Sequence, residues 1–498
     1  MRRLPAIALA VVFVSVWLSP LQRELYVGDE TKYSQVVREM RAGSFFLPTL
    51  NGTPFTHKPP LHFWAVDLLT HVFGVYSIWP FVLPSLISFA LLLLLMRRMG
   101  GPMAAFVCGT SLLMWGSSQT ARMDVAFAAL LALSAHFIFR ANGALPVSAG
   151  IASGLAFLVK GPMAPVITLA LFAFESIRRR RKPVAKDALA LLPMLLLPLL
   201  WLVPAIVIGG EAFWKEIFYK QTVGRAVGAW VHKSPPWFYL VRAPLTLAPW
   251  FFLCVAAIWK RRDERAKFAR SYLLAVLVPY TLLSSKLDVY MIAMLPAVAL
   301  LIASYVDAGD GVWGRRANLV MLSLFALVGA AGLVVQPHHI KEEDGALVSR
   351  LDIRLLFALF LITALAGIVV TLRSHLRAST IATGLVPVIA LGYAGLFLVP
   401  LANELASTRP LVRALVKQNA PPEQVALYVS PHLWTRGMPP GLARARHVDA
   451  AALRAWSPAP ELIVARRRNA DEVADVLRNY RKVDELRMIG KWFDVYRK

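Results

Sequence analysis

Long apolar runs separated by short polar stretches follow one another along most of the chain. They lie at 4–20, 80–96, 102–116, 124–139, 146–159, 162–177, 188–208, 243–259, 270–284, 289–305, 318–335, 354–372 and 380–400. A bilayer-crossing helix needs roughly 20 apolar residues, fewer where protein shields its ends. The pattern predicts a polytopic α-helical membrane protein with about thirteen transmembrane helices; the runs at 102–116 and 146–159 are short for spans. The run at 4–20 follows Met1-Arg2-Arg3 and has no small-residue cleavage signal after it, so it reads as a retained first span. Two long polar segments interrupt the series. In 21–79, Tyr33, Val36, Val37 and Met40 recur at helical spacing and predict an amphipathic helix in the interface plane. In 209–242, Phe213, Trp214, Ile217 and Phe218 mark one face of a short helix. From about 401 the chain turns polar, basic and Pro-interrupted. Strand-like Val425 to Val429 and Leu462 to Ala465, helical patches at 410–419 and 470–480, and an aromatic segment Trp492 to Tyr496 predict a small α/β domain. The expected organisation is a membrane domain at 1–400 and a C-terminal α/β domain at 401–498.

Composition agrees with a lipid environment. Of 498 residues 57% are hydrophobic and only 17% charged, where a soluble domain carries about 25%; mean hydropathy is +0.57. A net charge of +25 would suggest nucleic acid in a soluble protein. Here the basic residues cluster at Arg2-Arg3, Arg97-Arg98, Arg140, Arg178 to Lys182, Lys260-Arg261-Arg262, Arg315-Arg316 and Arg373/Arg377. In the thirteen-span arrangement all of these fall on one side, which marks it as the cytoplasm and places the N-terminus there. Segments 21–79 and 209–242 and the C-terminal domain then share the outer side of the membrane. The two cysteines, Cys108 and Cys254, sit in apolar runs and supply neither a disulfide framework nor a zinc site.

Candidate chemistry gathers at the outward span ends. Asp29 and Glu30 follow span one; an adjacent acidic pair at a membrane surface suits a base or a cation ligand. Equally, Asp29 suits the N-cap of the following helix, and Glu30 its first turn. Asn51-Gly52 predicts a turn and Pro59-Pro60 an extended exit, so His57 and Lys58 stand in a stiff loop where the lysine can hold phosphate or simply snorkel. Arg122 and Asp124 open span four; residues two apart do not face each other on a helix, which sends each to a partner elsewhere. Lys160 ends a span, where a cation also suits the helix dipole. Arg225 and the Pro236-Trp237-Phe238-Tyr239 stretch suit an anionic oxygen and a lipid or sugar ring, or the ordinary interfacial belt. Lys286 and Tyr290 stand one helical turn apart, positioned to address one anion. His57, His62 and His232 face outward without metal-ligand spacing.

These motifs, Gly28-Asp29-Glu30-Thr31-Lys32-Tyr33, Leu50-Asn51-Gly52-Thr53-Pro54-Phe55, Lys58-Pro59-Pro60-Leu61, Ala121-Arg122-Met123-Asp124, Lys160-Gly161-Pro162, Arg225, Pro236 to Tyr239 and Ser285-Lys286-Leu287 to Tyr290, resemble in order and placement those of GT-C glycosyltransferases. The similarity is to the lipid A aminoarabinose transferases and the protein O-mannosyltransferases, and it covers about residues 4–310. The resemblance implies a GT-C fold and transfer of a sugar, with inversion, from an undecaprenyl (polyprenyl) phosphate donor to a periplasmic acceptor such as lipid A or lipopolysaccharide core. It implies Asp29 as the catalytic carboxylate and Lys58, Arg225, Tyr290 and Lys286 around the donor phosphate. Glu30, Arg122, Asp124, Lys160 and His57 would support them. It makes no cofactor certain, and a divalent metal is left open. Two departures stand out: His57 lies where the aminoarabinose transferases often have Glu, and Asp288 where Pro is common. They leave the sugar open. A protein O-glycosyltransferase and a lipid or solute transporter are the competing readings, although transporters place polar groups near the midplane in repeated broken helices and no repeat is visible.

Overall fold

The computed structural model describes residues 4–217, 219, 234–309, 311–335 and 350–498. The protein is a multi-pass membrane protein. Six described helices are long and apolar enough to cross a bilayer, and a bent pair counts as a seventh if taken as one span. Every predicted apolar run falls on helix, but several runs are broken. Trp79–Thr110 passes through a left-handed break at Gly101, φ 78°, so the run at 102–116 is split between its last turns and a separate helix, Leu112–Ser118. The run at 243–259 is two helices, Phe238–Thr246 and Phe251–Lys260, meeting at 112°. Pro249 lies in the gap, where it has no N–H to continue the first helix. The run at 289–305 begins as a 3-10 turn, Asp288–Met294, and becomes α-helical at Leu295–Asp307, with Pro296 in its first turn. That position suits proline's fixed φ.

The short run at 146–159 is the helix Val147–Lys160, and its composition explains its packing. A Cβ on Gly150 would lie 2.1 Å from the carbonyl oxygen of Ala190, and one on Gly154 2.5 Å from that of Pro193. Two glycines four residues apart thus let this helix meet the backbone leading into Leu191–Lys215. That last helix breaks at Gly210, φ 66°, and its final turns bury Phe213. Phe218, the end of the predicted aromatic face, lies outside the described residues.

The chain divides into two compact units. The first holds Met1–Ser19, Thr56–His62 and Leu83–Phe397; the second holds Pro20–Phe55, Phe63–Val82 and Leu398–Lys498. In the second, the predicted amphipathic helix is Asp29–Ala42, with Tyr33, Val36, Val37 and Met40 all buried. A two-stranded hairpin follows, β1 (Thr49–Leu50) and β2 (Thr53–Pro54). Its turn residues Asn51 and Gly52 take φ 55° and 75°, the positive values that favour Asn-Gly. The C-terminal residues form a five-stranded mixed sheet in the order β4-β3-β5-β7-β6. Here β3 is Val425–Tyr428, β4 Arg446–Val448, β5 Leu462–Arg466, β6 Arg481–Met488 and β7 Lys491–Arg497. β3 runs parallel to β4 and β5, and β7 antiparallel to β5 and β6. Within the same unit Glu24, fully buried, accepts from Arg409 Nε at 2.9 Å and Nη2 at 2.5 Å and also from Thr435. Asn403 ties down the same segment, accepting from Glu24 N and donating to Gln22 O, each at 2.9 Å.

Candidate active site

Within the first unit, the turn at 120–123 and the ends of two helices assemble a cation–carboxylate cluster. Ser85 Oγ lies 2.8 and 2.6 Å from the carbonyl oxygens of Thr120 and Arg122, which share its one hydrogen, and fixes the turn that leads into Asp124–Arg140. Asp124 opens that helix, where a carboxylate suits the dipole, and its side chain is 4% exposed. Arg122 Nε donates to Asp124 Oδ2 at 3.0 Å. The expectation that the two do not meet each other is therefore corrected, while the expected partner elsewhere is found for Asp124 in Lys160. Arg122 precedes the helix, so helical spacing does not govern it. Lys160, the last residue of Val147–Lys160, donates to Asp124 Oδ1. Gly161, at φ 90°, ends the helix there. Lys58 acts electrostatically on Asp124 as well. Three cations thus converge on one carboxylate.

Aromatic rings flank the lysine. Lys160 Nζ sits 4.6 Å from the centroid of Tyr290 and 5.4 Å from that of Phe127. Tyr290 stacks on Tyr280 at 5.0 Å and 19°, and Tyr280 packs against Tyr239 at 6.5 Å. His62 also belongs here. It is buried, and burial lowers its pKa to about 4 against the opposing pull of Asp124; it is a neutral imidazole. Lys286 and Tyr290 do not share a helical turn, because Lys286 lies before the 3-10 turn that begins at Asp288. Lys286 Nζ instead donates to the carbonyls of Ser234, at 3.2 Å, and Leu283, and burial lowers its pKa. Arg242, which the sequence did not single out, grips Asp288 through Nε and Nη2 at 2.8 and 2.6 Å. Trp237 is exposed and Tyr239 buried. His57 is exposed in the turn before Lys58. Arg225 and His232 lie outside the described residues.

Asp29 and Glu30 belong to the second unit. Gly28, φ 126°, holds the N-cap position and Asp29 is the first helical residue. The alternative of a capping Asp29 is thereby corrected: glycine's freedom at positive φ moves the helix start one residue earlier. The Asp29 carboxylate is 37% exposed and lies 3.5 Å from Lys32 Nζ. Glu30 is in the first turn as expected, but buried. Arg23 donates to its two oxygens at 3.1 and 2.5 Å, and Tyr26 N donates at 2.8 Å. Such a charge-assisted bidentate pair fixes geometry. Among the described residues no group of three or more His, Cys, Asp or Glu is arranged to hold a metal ion.

Residues 57–208 match the family model described as dolichyl-phosphate-mannose-protein mannosyltransferase. The undecaprenyl phosphate-α-4-amino-4-deoxy-L-arabinose arabinosyl transferase of Serratia proteamaculans is 28% identical over 362 residues, 66% of this chain and 64% of that protein. The same-named protein of Edwardsiella ictaluri is 29% identical over 357 residues, with the same shares. The chain thus matches about 64% of the length of these relatives. The crystal structure of ArnT from Cupriavidus metallidurans bound to undecaprenyl phosphate superposes with a TM-score of 0.74 at 19% identity, covering 99% of this chain and 97% of that one. Its apo form gives 0.75, covering 99% and 96%. The fold is therefore that of ArnT, the GT-C architecture anticipated from the motifs, and the resemblance to the aminoarabinose transferase and protein mannosyltransferase group holds in sequence and in fold.

Proposed function

We propose that this protein is an inverting glycosyltransferase of the bacterial inner membrane that moves a sugar from an undecaprenyl phosphate donor to an acceptor on the periplasmic face, lipid A or lipopolysaccharide core. The N-terminus faces the cytoplasm in this reading. Residues 1–400 form the membrane catalytic domain and 401–498 a periplasmic domain. The observation that carries the reading is the cluster of Lys58, Arg122 and Lys160 around the buried Asp124, beside the Tyr290–Tyr280 stack. Cations preorganised at helix ends suit an anion whose charge grows as the reaction proceeds. The bond from the anomeric carbon to the phosphate oxygen breaks, and undecaprenyl phosphate leaves with the electron pair. The acceptor oxygen bonds to the opposite face of that carbon.

Lys58, Arg225 and Tyr290 hold the donor phosphate in this scheme. Lys286 joins them with the one ammonium hydrogen that its two carbonyl acceptors leave over. Arg122, Asp124 and Lys160 keep the cluster rigid, Glu30 fixes the turn that carries Asp29, and His57 stands beside Lys58. Asp29 is the catalytic carboxylate. It takes the proton of a hydroxyl acceptor, or orients an acceptor phosphate that needs no deprotonation. The substrate reading is supported by the names of the relatives and by the polyprenyl phosphate in the ArnT crystal structure.

A protein acceptor is the second reading, favoured by the description of the family model over residues 57–208. Mass spectrometry of lipid A and core from cells with and without the gene tests the proposal. A sugar-sized mass present only with the intact gene supports a lipopolysaccharide acceptor. The same mass on periplasmic proteins supports the second reading. Loss of neither, with altered flux of a lipid or solute, returns the protein to the transporter reading.

A further inference from the structure

The second unit carries a polar cleft of about 640 Å³ that the proposed chemistry does not use. One wall is Gln35 and Glu39 of the Asp29–Ala42 helix with Asn51 and Gly52 of the β1–β2 turn. The facing wall is Arg446, His447 and Val448 of β4 and the Ala452 to Ser457 stretch, including Trp456. Both walls are built firmly. Glu39 accepts from Asn51 N at 2.7 Å, Gly52 N at 3.1 Å, Thr49 Oγ1 at 2.8 Å and Gln35 Nε2 at 2.6 Å. Burial alone would raise its pKa, but these bonds outweigh it and keep the carboxylate ionised and saturated. Opposite, β4 pairs in parallel with β3, and Asp449 caps the short helix Ala450–Arg454.

The chemistry offered to a ligand is specific. The Arg446 guanidinium lies 5.1 Å from the Trp456 ring centroid, presenting a planar cation on an aromatic platform. His447 lines the cleft and packs on His432 with ring centroids 4.5 Å apart. Burial, with Arg38 nearby, keeps both rings neutral, so each offers one donor and one acceptor. Behind them Nε and Nη1 of Arg38 and Nδ1 of His432 are buried without a hydrogen-bond partner. With the Glu39 carboxylate already saturated, the charge left for a ligand is positive.

We propose that this cleft binds an acidic saccharide, one that bears a phosphate or carboxylate, and serves as an acceptor-glycan subsite. Neutral donor–acceptor groups match hydroxyls, the aromatic ring matches a pyranose face, and Arg446 matches the anion in a fork. The volume lies in the range of small-ligand sites, roughly 300–1,000 Å³. The acceptor role rests on the reading given under Proposed function; saccharide binding itself does not.

The test therefore has two stages. Calorimetric titration of the purified full chain in detergent with trehalose 6-phosphate, trehalose and inorganic phosphate reads the chemistry. The phosphorylated sugar should bind at least about tenfold tighter than either other probe, and Arg446→Ala should erase that preference. Arg446 is exposed, so this variant tests the site without disturbing the core. Trp456→Ala should weaken both sugars. Equal binding of all three probes, or a preference unchanged in Arg446→Ala, overturns the proposal. Titration with the deacylated carbohydrate backbone of lipid A and with acidic oligogalacturonide then separates a lipid headgroup from a soluble glycan as the source. In the transfer assay Arg446→Ala should raise the acceptor KM about tenfold at unchanged kcat. An unchanged KM alongside intact transfer overturns the acceptor role alone; absence of transfer to any acceptor overturns the catalytic reading while the binding result stands.

Discussion

Replacing Asp124 by Asn isolates the electrostatic core of the candidate site. The substitution keeps side-chain volume and removes one charge from a group whose side chain is 4% exposed. Lys160, 8% exposed, loses its ion-pair partner, whereas Arg122, 31% exposed, still reaches solvent. Breaking a buried pair by removing one partner costs about 3–5 kcal/mol, because the remaining charge stays desolvated. The half-solvated Arg122 pair adds no more than about 1 kcal/mol. Loss of a first-turn carboxylate adds a few tenths more. The expected total is about 4 kcal/mol, which lowers the unfolding midpoint by roughly 5–10 °C for a body of this size. Thermal unfolding of the detergent-solubilised protein, followed by size-exclusion and intrinsic fluorescence, reads that change. The double variant Asp124→Asn/Lys160→Met removes the stranded charge and should recover more than half of the loss. A single variant melting within about 1 °C of the parent, or a double variant no better than the single, would refute the claim that Asp124 is held as the counter-charge of a buried lysine.

Glu24→Gln should destabilise the second unit by about 2–3 kcal/mol, since it weakens the buried charge-assisted bonds to Arg409 and Thr435; faster proteolysis of the C-terminal sheet would register it. Gly150→Ala should cost at least about 2 kcal/mol, because the new Cβ meets the Ala190 carbonyl at 2.1 Å and neither backbone can yield cheaply. The check is the melting midpoint, with Gly116→Ala, where nothing stands in the way, as the mild control. Acid should loosen the second unit through His432 and His447, which face each other together with Arg38, Lys32 and Glu39. Their folded pKa values, about 4 and about 3, lie below the usual 6.5. The unfolded chain therefore binds more protons, and their contribution is complete above pH 6.5 and lost as pH falls toward 4 and then 3. Hydrogen exchange in β3 and β4 across that range should show it, and the double replacement of both histidines by Gln should flatten the profile.

Much of this architecture was legible because the relevant signals are local. The stripe Tyr33, Val36, Val37 and Met40 became a buried helix face, and Asn51-Gly52 became a hairpin turn with both residues at positive φ. The candidate polar residues of the first unit, Arg122, Asp124 and Lys160, do meet. The Arg122–Asp124 contact and the separation of Lys286 from Tyr290 were misread because spacing rules apply only inside a helix, and Arg122 and Lys286 lie just outside one. Breaks inside apolar runs were also hidden. Gly101 and Pro249 were visible as residues, but whether they kink, split or merely tolerate a helix depends on what packs against them. Strand β6 went unseen because Arg481–Met488 is largely polar and exposed; its place comes from the Ile489-Gly490 turn and from pairing with β7. The Arg242–Asp288 pair joins segments 46 residues apart, a separation at which sequence pattern carries no signal.

The most direct test is transfer in proteoliposomes containing an undecaprenyl phosphate-linked sugar and lipid A, with wild-type protein compared against Asp29→Asn. The account predicts that the wild type releases undecaprenyl phosphate in step with glycosylated acceptor, its anomeric configuration inverted. The variant should fold and bind donor normally but turn over at least about a hundredfold more slowly. Full activity in Asp29→Asn, or a retained anomeric configuration, would contradict it.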